Sequence, residues 1–142
     1  MGIKAKDLGP DVPRRGNAVG QFVGELLLKL LRWEVIGVPL SAPKAMFIGA
    51  PHTSNRDALI AVAVMLALRL RINVMVKAEL FVGLFGKLIY WFGMRPVYRS
   101  KSMGLVEQSA QQYRETDKLY LGIAPEGTRH ASKAWKSGFY HI

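Results

Sequence analysis

Three short segments of this chain gather the residue types that move protons or hold anions. The first is Pro51-His52-Thr53-Ser54-Asn55-Arg56-Asp57. An imidazole can take a proton from a hydroxyl near neutral pH, and a carboxylate that accepts from Nδ1 leaves Nε2 free for the substrate. Residues five apart on a regular helix point about 140° apart, so His52 and Asp57 meet only if His52 stays in a loop and Asp57 lies in the first turn of the next helix. Thr53, Ser54 or Asn55 would then cap that helix, with Asp57 near its positive end. Taken alone, the same residues also describe a loop histidine beside a capping carboxylate.

The third segment along the chain is Ala124-Pro125-Glu126-Gly127-Thr128-Arg129-His130. A glycine lets a ligand approach the backbone, a threonine offers a hydroxyl, and an arginine can grip a phosphate through two parallel hydrogen bonds. Glu126 can orient Arg129 or a ligand hydroxyl, although the segment reads equally well as a polar turn. The second along the chain, Gly93-Met94-Arg95-Pro96-Val97-Tyr98-Arg99, sets two guanidinium groups around a short strand. Surface arginines are common enough to produce that pattern without a ligand.

The elements that must position these segments alternate along the chain. Val19, Phe22, Val23, Leu26, Leu27 and Leu30 recur at helical spacing after Asn17, a natural N-cap, and Gln21, Glu25, Lys29 and Arg32 take the opposite face. This N-terminal amphipathic helix ends near Trp33; it either packs on its own domain or lies in a bilayer surface. Strands are expected at Trp33–Gly37, Ala45–Gly49, Asn73–Lys77, Arg95–Arg99 and Leu119–Ile123, and helices at Arg56–Leu70, Glu79–Phe92 and Ser102–Thr116. The last presents Met103, Val106, Ala110 and Tyr113 on one face. Such alternation predicts an α/β fold: a mixed, largely parallel sheet flanked by helices. In that architecture chemistry sits in loops at the carboxyl ends of strands, where the charged segments fall.

Composition narrows the partners. The 142 residues are half apolar, carry 20 Lys+Arg against 10 Asp+Glu, and contain no cysteine. A polar leader, residues 1–16, precedes a single domain over 17–142, too apolar to be disordered. Disulfide scaffolds and cysteine-based zinc sites are excluded, and three histidines make a dedicated metal site unexpected. The net charge of +10 implies an anionic partner: a nucleic acid, an anionic membrane surface or a phosphorylated substrate. No zinc finger, stacking platform or other nucleic-acid motif accompanies the charge, so no nucleic acid is expected. The first sixteen residues lack the apolar stretch of a secretory signal, and Lys6 breaks the myristoylation pattern. Ala58–Leu68, the longest apolar run, is too short to cross a bilayer and reads as a core helix. Leu80–Met94, interrupted only by Lys87, is also short but unusually greasy for a soluble surface.

Together and in this order, HTSNRD, GMRPVYR and APEGTR resemble the blocks of the acyltransferases that acylate glycerol phosphates and lysophosphatidic acid. His52 and Asp57 match that family's H-x4-D block, Arg99 the arginine closing its second block, and Glu126, Gly127, Thr128 and Arg129 its P-E-G-T block. Lys77-Ala78-Glu79-Leu80 and Lys136-Ser137-Gly138 are similar to its connecting segments, so the likeness runs from about Trp33 onward. The resemblance implies that His52 is the general base, held by Asp57, and deprotonates an acceptor hydroxyl for direct attack on an acyl thioester of coenzyme A or acyl carrier protein. It further implies a substrate phosphate held by Arg99, Glu126, Gly127, Thr128 and Arg129, with Arg56 a further candidate. No covalent acyl-enzyme, metal or resident cofactor is required. The implied partners are an acyl thioester donor, an anionic lipid acceptor and a membrane surface, with the protein peripheral or monotopic at a cytoplasmic membrane face and active in phospholipid biosynthesis.

Three positions depart from the family pattern: Ala124 stands where Phe is frequent, His130 where Ser is frequent, and Tyr98 where an acidic or polar residue often precedes the arginine. A fourth, Pro-centred apolar block beyond P-E-G-T is expected and is not found before Ile142. An alternative function is therefore a catalytically inactive membrane- or lipid-binding fragment of such an enzyme.

Overall fold

A computed structural model describes residues 2–50, 55–97, 104–126, 135 and 137–142. The chain divides into two compact units, one formed by residues 1–43 and 54–71, the other by 44–53 and 72–142.

The first unit is built on two helices, α1 (Ala18–Leu30) and α2 (Asn55–Ala67). Asn17 caps α1 as expected, its side chain accepting from the Gly20 amide at 2.9 Å. Both helices end the same way. Arg32 and Arg69 adopt left-handed backbone, with φ of 56° and 53°, so that the Trp33 amide reaches back to the Leu28 carbonyl and the Leu70 amide to that of Met65. These are Schellman closures, a position where glycine is the usual occupant. The sharp stop at Arg32 also removes the strand expected at Trp33–Gly37. Past the helix-closing bond of Trp33, that segment pairs through an isolated bond from the Ile3 amide to the Val35 carbonyl at 2.7 Å, and Gly37 then turns away with a φ of 140°. An isolated bond is not a ladder, and the segment is not a strand.

Of the six apolar residues at helical spacing on α1, Val19, Phe22, Val23, Leu26 and Leu30 are exposed and Leu27 is half-buried. The side against α2 is instead Gly24 and Leu28, packed with Ala63 and Ala67 and flanked by Leu27, Val35 and Val64. Small residues let the two backbones approach closely, which confines the contact to one narrow stripe. The first sixteen residues pack too: Ala5, Leu8 and Val12 are buried, and the Arg14 guanidinium donates to the carbonyls of Ala5 and Leu8 at 2.8 and 3.0 Å. Arg15 and Arg71 tie the leader to the end of α2 through backbone bonds to Arg69 and Pro13.

The second unit carries the sheet. Its strands are β1 (Lys44–Ile48), β2 (Ile72–Lys77), β3 (Met94–Val97) and β4 (Leu119–Ile123), in the spatial order β1-β4-β2-β3, every neighbouring pair parallel. The α/β expectation holds, with a sheet that is parallel throughout. β4, the run LYLGI, is central, and Tyr120 and Leu121 are fully buried, as a strand paired on both sides and covered on both faces requires. α3 (Gly83–Trp91) follows a 3-10 turn at Ala78–Leu80, so the helix expected at Glu79–Phe92 is split in two. α4 (Leu105–Glu115) lies on the face that carries Lys44 and Met75. The buried Ser109 hydroxyl donates to the Met75 sulfur at 3.4 Å, Tyr113 Oη donates to the Ala45 carbonyl at 2.7 Å, and Lys44 Nζ donates to the Tyr113 carbonyl at 2.6 Å. A 3-10 turn at Ser137–His141 packs against α4.

Candidate active site

Parallel strands end together, and their ends place the candidate segments. β1 and β4 run in register with Ile48 beside Ile123, and the Gly49 amide donates to the Ile123 carbonyl at 2.9 Å. The first segment therefore leaves the sheet three residues before His52 at the same level as the third, which begins at Ala124. The second segment continues from β3, on the far side of β2. This is the carboxyl edge of the sheet, where the order of strands reverses and open α/β sheets bind their ligands.

Two of the expected site residues fall among the described ones. Asp57 is half-buried in the first turn of α2, where the unsatisfied amides and the helix dipole stabilise a carboxylate. Its position is the one the loop-to-helix argument requires. Glu126 is half-buried, three residues past the end of β4, with Pro125 buried before it. Arg56 is exposed beside Asp57. His52, Arg99, Gly127, Thr128 and Arg129 lie outside the described residues, as do Tyr98 and His130. Among the described residues no three His, Asp or Glu side chains cluster closely enough to hold a metal ion.

Arg95 differs from the picture of two similar arginines around one strand. It is half-buried on β3, its guanidinium carbon 4.3 Å from the centre of the Tyr90 ring, and its buried Nη1 has no hydrogen-bond partner among the described residues. On the neighbouring strand the buried Asn73 Oδ1 likewise has none among them. Arg95 is thus committed to the α3 side of the sheet by packing on an aromatic face. Sequence spacing carries no signal for that pair, since Tyr90 and Arg95 belong to different elements. A signal did exist for the helix contact: Gly20 and Gly24 stand four apart, as do Ala63 and Ala67, which is the spacing of close-approach helix faces.

Within the second unit, the chain segments that follow β1 and β4 leave the sheet side by side, and Glu126 is half-buried on the second of them. Comparison with family models gives a match: the model described as Acyltransferase matches residues 35–142, about three quarters of the chain. The chain belongs to the Acyltransferase family. Comparison with curated proteins gives no match, and comparison with solved structures gives none either.

Proposed function

We propose that the protein is an O-acyltransferase of the 1-acylglycerol-3-phosphate type, moving a fatty acyl group from acyl-CoA or acyl carrier protein to a hydroxyl of a lysophospholipid or glycerol phosphate. The observation that carries this reading is the order HTSNRD, GMRPVYR, APEGTR within an Acyltransferase-family chain whose sheet starts the first and third segments from adjacent strand ends. Asp57 accepts from His52 Nδ1 and fixes the ring. His52 Nε2 takes the proton of the acceptor hydroxyl as its oxygen attacks the thioester carbonyl carbon. The carbon–sulfur bond then breaks, and the departing thiolate recovers that proton from His52. One ester bond forms and one thioester bond is lost. The protein supplies no nucleophile, which is consistent with a chain that has no cysteine, and the acyl thioester is a co-substrate rather than a resident cofactor.

Arg99, Gly127, Thr128 and Arg129 hold the acceptor phosphate, with Glu126 orienting Arg129 or an acceptor hydroxyl, and Arg56 is a further cation near the start of α2. The protein works at the cytoplasmic face of a membrane, in phospholipid synthesis, without crossing it. The net charge of +10 and the solvent-facing apolar stripe of α1 support that placement. Among the described residues no helix is long and apolar enough to span a bilayer.

The test is thiol release from acyl-CoA and from acyl carrier protein against a panel of lysophospholipids and glycerol phosphate. His52→Ala should lower turnover by about 10²- to 10⁴-fold, the usual contribution of a positioned base, and Asp57→Asn should also lower it. Turnover that survives His52→Ala would show that the base is misassigned.

A further inference from the structure

The segment around α3 exposes more apolar surface than a solvated helix can explain. Leu80, Val82, Leu84, Phe85, Leu88, Tyr90 and Trp91 are all exposed, Leu84 at 84% of its full accessibility. Leu84, Phe85, Leu88 and Trp91 form one stripe along the nine-residue helix, while Gly86 and Ile89 on its other side are buried against the unit. An apolar surface of this size on a soluble domain marks an interaction site. We infer that the α3 segment is a membrane-docking surface, lying in the plane of an anionic bilayer with Leu84, Phe85, Leu88 and Trp91 among the acyl chains. This inference rests on the membrane placement proposed above and names the surface that achieves it.

Charge selects the occupant. Between Leu80 and Met94 the only charged residue is Lys87, and the unit containing α3 carries eleven Lys and Arg against five Asp and Glu. A cationic protein with an apolar, aromatic helix matches a layer of anionic headgroups over hydrocarbon. Trp91 and Tyr90 have the side chains that settle at the headgroup level, and Lys87 can extend its ammonium to the phosphates while its stem stays apolar. A second copy of the chain is the poorer fit, because stacking two α3 faces brings two Lys87 ammoniums and two molecules of net charge +10 together. At about 1.5 Å per residue the helix is about 13 Å long, enough to lie in one leaflet and too short to cross it.

The experiment follows Trp91 in the full chain with Trp33 and Trp135, both exposed, replaced by Phe. Vesicles of phosphatidylcholine and phosphatidylglycerol carrying brominated acyl chains should quench its emission, and less at high salt. Leu84→Asp with Phe85→Asp should weaken vesicle sedimentation by about tenfold or more, with an unchanged circular dichroism spectrum because both side chains face solvent. Sedimentation with vesicles without quenching of Trp91, or undiminished binding by the folded double variant, overturns the inference. So does a lipid-free dimer in analytical ultracentrifugation that shields Trp91 from iodide. The readout needs no catalysis: loss of vesicle docking with His52-dependent turnover intact on a water-soluble acceptor separates this surface from the active site. Conversely, turnover independent of His52 would remove the catalytic reading and leave Trp91 quenching untouched.

Discussion

Replacing Gly24 with alanine tests the packing of α1 on α2 through a single methyl group. A Cβ at Gly24 would fall on the Ala67 amide nitrogen, 2.7 Å from the Ala63 carbonyl oxygen and 2.8 Å from Leu66 Cβ. Two of these three neighbours are backbone atoms of α2, which cannot rotate aside. Bringing the carbonyl contact from 2.7 Å to an ordinary 3.4 Å or more means separating the helices, which loosens Leu28 on Ala63 and Ala67. Overpacking of this kind costs about 1–3 kcal/mol, and the better helix propensity of alanine offsets about 1 kcal/mol of it. Because two of the three clashes are with backbone, the cost lies at about 2–3 kcal/mol of that range, and the expected net loss is about 1–2 kcal/mol. Gly20, one turn earlier on the same stripe, is the control: its Cβ would meet Leu66 Cδ2 at 3.5 Å and Asn17 Oδ1 at 3.6 Å, both ordinary contacts. Gly20→Ala should therefore be neutral or stabilising by up to about 1 kcal/mol. Urea unfolding followed by far-ultraviolet circular dichroism reads both, at unchanged m value. A midpoint for Gly24→Ala at or above that of the parent, or two variants that move in the same direction, would refute the close helix contact.

Four further outcomes are expected. Burial raises the Tyr113 hydroxyl above its ordinary value of 10.0, a shift partly countered by a hydrogen bond from the Leu121 backbone. The stability tied to that shift is fully present below the unfolded value and is lost as the pH climbs through the folded one. Tyr113→Phe should thus flatten the alkaline limb of a stability–pH curve while costing about 1 kcal/mol at neutral pH, from the lost bond to the Ala45 carbonyl. Arg32→Gly should raise the urea midpoint by an amount equivalent to about 1 kcal/mol, because it relieves a left-handed residue at the end of α1. Phe22→Asp with Leu26→Asp should weaken vesicle sedimentation without unfolding the chain, both side chains being exposed; unchanged sedimentation would leave the apolar stripe of α1 without a membrane role. Arg99→Ala should lower kcat/KM for a phosphorylated acceptor by about ten- to a hundredfold, with a smaller effect on an acceptor lacking phosphate; equal losses on both would argue against a phosphate contact.

Most of the second unit was legible because its signals are local. LYLGI is a continuous apolar run and became the central strand; Asn73–Lys77 lengthened by one residue to Ile72, and Ala45–Gly49 shifted by one to Lys44–Ile48. The expected strand at Arg95–Arg99 is observed at Met94–Val97, one residue earlier and ending where description stops. The first unit was harder. Period and hydropathy identify α1 but not which side it buries, since they weight Phe22, Leu26 and Leu30 heavily and glycine not at all. The contact followed close backbone approach instead, and the large side chains were left in solvent. Trp33–Gly37 failed as a strand for a related reason. Its β-branched and aromatic residues suit a strand, yet the left-handed turn at Arg32 ties Trp33 back to α1 and, among the described residues, leaves an isolated bond at Val35 in place of a ladder. For the site, the requirement that Asp57 occupy the first turn of a helix could be written from spacing alone, and it does.

The order β1-β4-β2-β3 also explains why the three segments need not share one task. The chain moves outward from β1 to β2 to β3, then returns through α4 to place β4 in the gap between β1 and β2. The loops after β1 and β4 thereby start at neighbouring positions, bonded through the Gly49 amide and the Ile123 carbonyl. β3 lies two strand spacings from β4, about 9–10 Å, on the other side of β2. In the proposed reading, the base in the first loop and the residues of the third can act on the same end of the acceptor through short connections. In that same reading, a long, permanently charged side chain in the segment that follows β3 is matched to the phosphate of the acceptor rather than to the hydroxyl assigned to His52.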